Sequence, residues 1–108
     1  MKLPTEIFGN VIVVHTPEEI GQDQTPQLTS VLTSLERAQV VVDLDGTEAI
    51  DSFALNSLLD SQENLRLGGG DLRISTSNTY NRKILEITRL DQSLEVFETV
   101  LEAVKSFT

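Results

Sequence analysis

Two short stretches of this chain carry side chains that could handle phosphate. In Ile50-Asp51-Ser52-Phe53-Ala54-Leu55 a hydroxyl follows a carboxylate just before an apolar-periodic run, the pattern of a helix N-cap. A serine there lies beside the free N–H groups of the first turn and the positive end of the helix dipole, which favour an added phosphate. Ser52 is therefore the candidate phosphorylation site, and a plain N-cap without regulation is the alternative. In Val41-Val42-Asp43-Leu44-Asp45-Gly46-Thr47 two carboxylates stand two residues apart at a predicted strand end. Such a pair can divide nucleophilic attack and proton transfer between them, or can simply shape an acidic turn. His15 is the only histidine, and with no second ligand of its kind nearby it reads as a strand-end residue. No catalytic residue, metal site or cofactor is expected.

The elements that would position these groups alternate. Val11-Ile12-Val13-Val14 is a β-branched run that predicts a buried strand, preceded by a weaker strand around 3–8 and a Gly9-Asn10 hairpin turn. Residues 17–24 carry three acids and no periodicity, which predicts a loop. A helix follows from about Pro26, with Thr25 as its cap and Leu28, Val31, Leu32 and Leu35 as its stripe. Val40 to Leu44 is apolar on both faces, as a central strand requires, and Asp45-Gly46-Thr47-Glu48 leaves it as an acidic loop.

From Ser52 the helix is predicted to run to about Leu67, with Leu55, Leu58, Leu59 and Leu65 inward and Asp60, Glu63 and Arg66 outward. Gly68-Gly69-Gly70 ends it by supplying positive φ angles. Leu72 to Ser75 is the next strand, and the polar run Ser75 to Thr79 caps a shorter helix carrying Ile84, Leu85 and Ile87. Leu94 to Phe97 alternates like an edge strand, and a last helix has Val100, Leu101, Val104 and Phe107 on one face. The alternation predicts an α/β fold, a mixed and mostly parallel sheet with about four helices, as one domain over residues 1–108. Sites in such sheets gather at the carboxyl ends of strands, where the loops 45–51 and 76–78 would be neighbours.

Charge narrows the partners. The net charge is −9, from eight basic and seventeen acidic residues, which excludes the clustered positive field that nucleic acid or an anionic membrane surface needs. A protein with a basic docking surface is the natural counterpart. No apolar run approaches transmembrane length, the start lacks a signal-peptide plan, and there is no cysteine. The expectation is a cytoplasmic monomer without membrane insertion.

Three families share parts of this pattern. Asp43-Leu44-Asp45-Gly46-Thr47 resembles the first motif of the haloacid-dehalogenase phosphatases, which would make Asp43 a nucleophile, Asp45 a general acid and magnesium a partner, with Ser75 or Thr76 imitating the second motif. That family also needs a lysine and a downstream acidic pair. Lys83 and Lys105 fall on predicted helices, and no two acids after Asp71 are adjacent. Receiver domains share the alternating plan but place an acidic pair after the first strand, where this chain has His15-Thr16.

The third resemblance covers nearly the whole chain. Val41-Val42-Asp43-Leu44, Ile50-Asp51-Ser52 with Leu55 and Leu58, Gly69-Gly70-Asp71-Leu72-Arg73-Ile74, Leu85 through Leu90, and Phe97 with the closing helix stand in the order and spacing of the STAS domain. The chain most resembles the bacterial anti-sigma factor antagonists. The resemblance implies a non-enzymatic protein that binds an anti-sigma factor acting also as an ATP-dependent serine kinase. It implies Ser52 as the phosphate acceptor and Asp51, Ser52, Phe53, Ala54, Asn56, Thr76, Ser77 and Asn78 as the partner-binding set.

Two departures bear on docking. Phe53-Ala54 replaces the family's small polar residue and glycine, and Glu18-Glu19-Ile20-Gly21 stands where a Gly-Glu-Leu-Asp loop is usual. Phe53 either folds into the core as a staple or stays exposed as an anchor for the partner. A STAS scaffold in a sensory or transporter complex, never phosphorylated, remains the alternative function.

Overall fold

The computed structural model describes residues 3–34 and 39–108 of the chain. Its strands are β1 (Thr5–Phe8), β2 (Val11–His15), β3 (Glu19–Ile20), β4 (Gln39–Asp43), β5 (Ala49–Ile50), β6 (Asp71–Ser75) and β7 (Val96–Phe97). Its helices are α1 (Thr25–Ser34), α2 (Ser52–Leu67), α3 (Thr79–Ile87) and α4 (Val100–Lys105), with a 3₁₀ turn at Leu90–Gln92. The main sheet has the order β1-β2-β4-β6-β7. Only the β1–β2 hairpin is antiparallel, turning at Gly9 with φ 60°, and every later pairing in the main sheet is parallel.

The apolar runs explain the layering. Alternate residues of a strand face opposite sides, so Ile12 and Val14 join Val40, Val42, Leu72 and Ile74 beneath α1, α2 and α3. Val11, Val13 and Val41 face the other way, onto Ala103 of α4 with Val100, Val104 and Phe107. The central position of β4 and the edge position of β7 follow the sequence reading. Leu55 and Leu58 are buried in α2, and Leu59 and Leu65 pack partly against the same core. Gly69 at φ 87° ends that helix, its N–H bonding to the Arg66 carbonyl while the Gly70 N–H reaches that of Leu65, a Schellman closure.

Four expectations are corrected. Residues 17–24 contain β3, which pairs with β5 in a two-stranded parallel ribbon through Glu19–Ala49 and Ile20–Ile50. Ile20 is buried, and such brief pairing leaves no periodicity to read. Thr25 lies inside α1 and donates its hydroxyl to the Gly21 carbonyl at 2.8 Å instead of capping the helix. Ile87 is 71% exposed because the buried stripe of α3 runs through Asn81, Ile84 and Leu85. Leu101 is 58% exposed, one residue off the Val100-Ala103-Val104 face. Leu28 and Leu32 are buried as expected, and Leu35 lies outside the described residues. Among the described residues, no helix is long and apolar enough to cross a membrane.

Candidate functional site

Helix α2 begins one residue earlier than a Ser52 cap requires. The cap is Asp51, whose backbone is extended and whose Oδ1 accepts the Ala54 N–H at 3.0 Å. Aspartate caps as well as serine does, and this one is held from its other side too. The Asp51 N–H donates to the Ile20 carbonyl at 3.1 Å, and Oδ2 accepts the Gln22 N–H at 2.9 Å. One carboxylate thus ties the start of α2 to the β3–α1 loop. Gly21 permits this approach, since a Cβ there would stand 3.2 Å from Asp51 Oδ2.

With Asp51 as cap, Ser52 becomes the first helical residue and is exposed. Phe53 is 54% exposed, so it is not a core staple, and Asn56 is exposed one turn further along. Ala54 and Thr76 are fully buried, the first under α2 and the second at the end of β6. Neither offers surface to a partner, which removes both from the docking set.

Beside Asp51 lies an open groove of about 300 Å³, lined by Glu19, Ile20, Gly21, Gln24, Asp51 and Tyr80 among others. Tyr80, on the first turn of α3, is 56% exposed and did not enter the sequence reading. An aromatic two residues past a predicted helix cap is the signal that could have flagged it. Asn78 caps α3 through its side-chain oxygen, to the Tyr80 N–H at 2.8 Å and the Asn81 N–H at 3.4 Å.

The loops 45–51 and 76–78 are neighbours, as the pairing of β4 with β6 requires. Asp45 Oδ1 accepts the Ser77 N–H at 2.6 Å and its hydroxyl at 3.2 Å. The buried Asn81 amide donates to the carbonyls of Leu44 and Thr47 at 3.0 and 2.9 Å. Thr16 and Thr47 share a hydroxyl–hydroxyl bond, and Thr16 also donates to the Asp43 carbonyl.

Asp43 accepts the Asp45 N–H through Oδ1 and meets His15 Nδ1 through Oδ2 at 2.8 Å. The two aspartates of the phosphatase-like motif are therefore occupied in holding loops, the arrangement of an acidic turn. His15 Nε2 reaches Glu6 Oε1 at 2.5 Å. Burial pulls the His15 pKa down, but the hydrogen bonds and charges of Asp43 and Glu6 together leave it above its ordinary value.

The frame is an α/β domain with a mixed sheet, whose second helix starts with an exposed serine beside a groove. The STAS domain pattern matches residues 2–103, and the chain belongs to that family. A protein of Thermotoga neapolitana named as the homologue of a putative anti-sigma factor antagonist is 27% identical over 67 residues, 62% of this chain. The matched stretch spans 59% of that relative's length.

The crystal structure of an anti-sigma factor antagonist from Mycobacterium paratuberculosis superposes with a TM-score of 0.86 at 22% identity, covering 97% of this chain and 92% of that one. The Bacillus cell fate determinant SpoIIAA in its phosphorylated form superposes with a TM-score of 0.74 at 13% identity, covering 99% of this chain and all of the other. At these identities the structural likeness shows the shared fold.

Proposed function

We propose that this protein is an anti-sigma factor antagonist switched by phosphorylation of Ser52. The observation that carries the reading is exposed Ser52 in the first turn of α2, with exposed Phe53 and Asn56 near it and a groove lined by Asp51 and Tyr80 alongside. The partner is a cytoplasmic anti-sigma factor that is also a serine kinase, transferring the terminal phosphoryl group of ATP to Ser52 Oγ. It docks on Ser52, Phe53 and Asn56, with Ser77 and Asn78 at the margin and Asp51 holding the surface in shape. The protein acts as a monomer and as a binding module rather than an enzyme.

The electrostatics favour a change in docking rather than in fold. A phosphate adds about −1.5 to −2 charges, which a helix N-terminus stabilises by about 0.3–1 kcal/mol. Asp51 and Glu48 oppose it, each by roughly 1 kcal/mol against a dianion at ~6–8 Å in a water-like dielectric. The two opposing terms together exceed the favourable one before screening, and salt brings the balance down to about 1 kcal/mol. The Asp51 staple therefore stays in place while the contact surface gains bulk and charge.

Intact-mass measurement of the protein from its native cells tests the reading. A single phosphate that vanishes in Ser52→Ala is expected. Its absence under every growth condition would leave the constitutive STAS scaffold as the function. Incubating the purified chain with ATP and the partner captured by Ser52→Ala bait should phosphorylate wild type alone.

A further inference from the structure

We propose that Glu6, His15 and Asp43 form a pH-dependent latch that holds edge strand β1 on the sheet while His15 carries both ring protons. The three residues lie on neighbouring strands, β1, β2 and β4, and on the sheet face shared with Val11 and Val13. Each ring nitrogen meets an oxygen of a carboxylate, Nδ1 with Asp43 and Nε2 with Glu6. Ionised carboxylates only accept hydrogen bonds, and a neutral imidazole has a single N–H. Both contacts can be hydrogen bonds only in the imidazolium. Losing either proton sets a nitrogen lone pair against a carboxylate oxygen.

The Glu6 contact is the one that gives way. Asp43 is only 13% exposed and is also held by the Asp45 N–H, whereas Glu6 is 56% exposed on the outermost strand. Strand β1 has little else to retain it. All four of its residues are exposed, and Glu6–His15 is its one side-chain bond to the sheet among the described residues. Beyond that it has the ladder to β2, and Leu3 and the Pro4 carbonyl just before it.

No other charge replaces the latch. On the same face β6 contributes Arg73, which is engaged by Asp71, Ser106 and the Phe107 ring, and Ser75, whose hydroxyl is 3.5 Å from Asp43 Oδ1, while Asp45 stands behind Asp43. Helix α4 turns Val100, Ala103 and Val104 to the sheet, while Glu102 and Lys105 are exposed, as is Glu98 before the helix. None of these forms an ion pair with His15 among the described residues.

The experiment follows the His15 ring by NMR while amide exchange reads Thr5–Phe8 between pH 6 and 9, corrected for intrinsic rates. The ring should titrate above its ordinary value, and protection of β1 should fall as it does, by up to about tenfold per unit of upward shift. Protection of β4 should hold. Glu6→Gln should lower the ring's midpoint and flatten the pH dependence of β1, and His15→Gln should abolish that dependence. A ring that titrates at or below its ordinary value would overturn the latch. So would β1 protection unchanged through the titration, or a Glu6→Gln protein that behaves as wild type.

Discussion

Asp51 and Phe53 divide the work at the start of α2. Asp51 supplies the cap and the tie to Gln22, so Asp51→Ala should cost about 1–2 kcal/mol, read as a lower urea midpoint. Asp51→Asn should recover part of that, because asparagine also caps. Phe53→Ala removes an exposed ring and should leave stability within about 0.5 kcal/mol while weakening capture of the proposed anti-sigma partner. A loss above ~2 kcal/mol on denaturation would instead mean that the ring packs as a core residue. The serine was legible as a helix-start residue, but which of two adjacent capping types takes the cap was not. That choice depends on Asp51's second bond, to a loop nearly thirty residues earlier.

Among the elements, α2 can present the candidate site because its inner face is fixed. Leu58 is fully buried against the core shared with α1 and β6, so Leu58→Ala should cost ~2–5 kcal/mol. Ile87→Ala on α3 should fall within about 0.5 kcal/mol, since that side chain faces solvent. Urea unfolding of the two variants side by side checks the contrast. The longer apolar strands and the glycine stop after α2 could be read directly, because their patterns repeat over several residues. The β3–β5 ribbon could not: two residues on each side carry no period, and their pairing requires distant loops to meet.

For the whole molecule, two charge clusters at opposite ends of the sheet contribute to the pH response with opposite signs. Burial raises the Asp71 pKa, but the Arg66 hydrogen bond and charge, the Leu72 N–H and Arg73 outweigh it and hold the carboxyl below its ordinary value. A depressed carboxylate contributes stability above its unfolded pKa and loses it as pH falls through the folded one. His15 is shifted upward, so its contribution is complete below its unfolded pKa and is lost as pH rises through the folded one. These two shares of stability should therefore both be present between about pH 4 and about pH 6.5. Denaturant midpoints across pH 3–9 check this: Asp71→Asn should weaken the acid limb and His15→Gln the alkaline one.

Residue order alone determined the α/β alternation, the central β4, the acidic surface and the family, because each rests on patterns or sums along the chain. It also marked Ser52 as the hydroxyl at a helix start. Only the tertiary structure decided that Asp51 holds the cap, that Phe53 is exposed and Ala54 and Thr76 are buried, and that Tyr80 shares a groove with Asp51. It also paired the lone histidine with two carboxylates from neighbouring strands. Each of these depends on which segments the sheet order brings together, and residues far apart in sequence leave no local signal of their meeting.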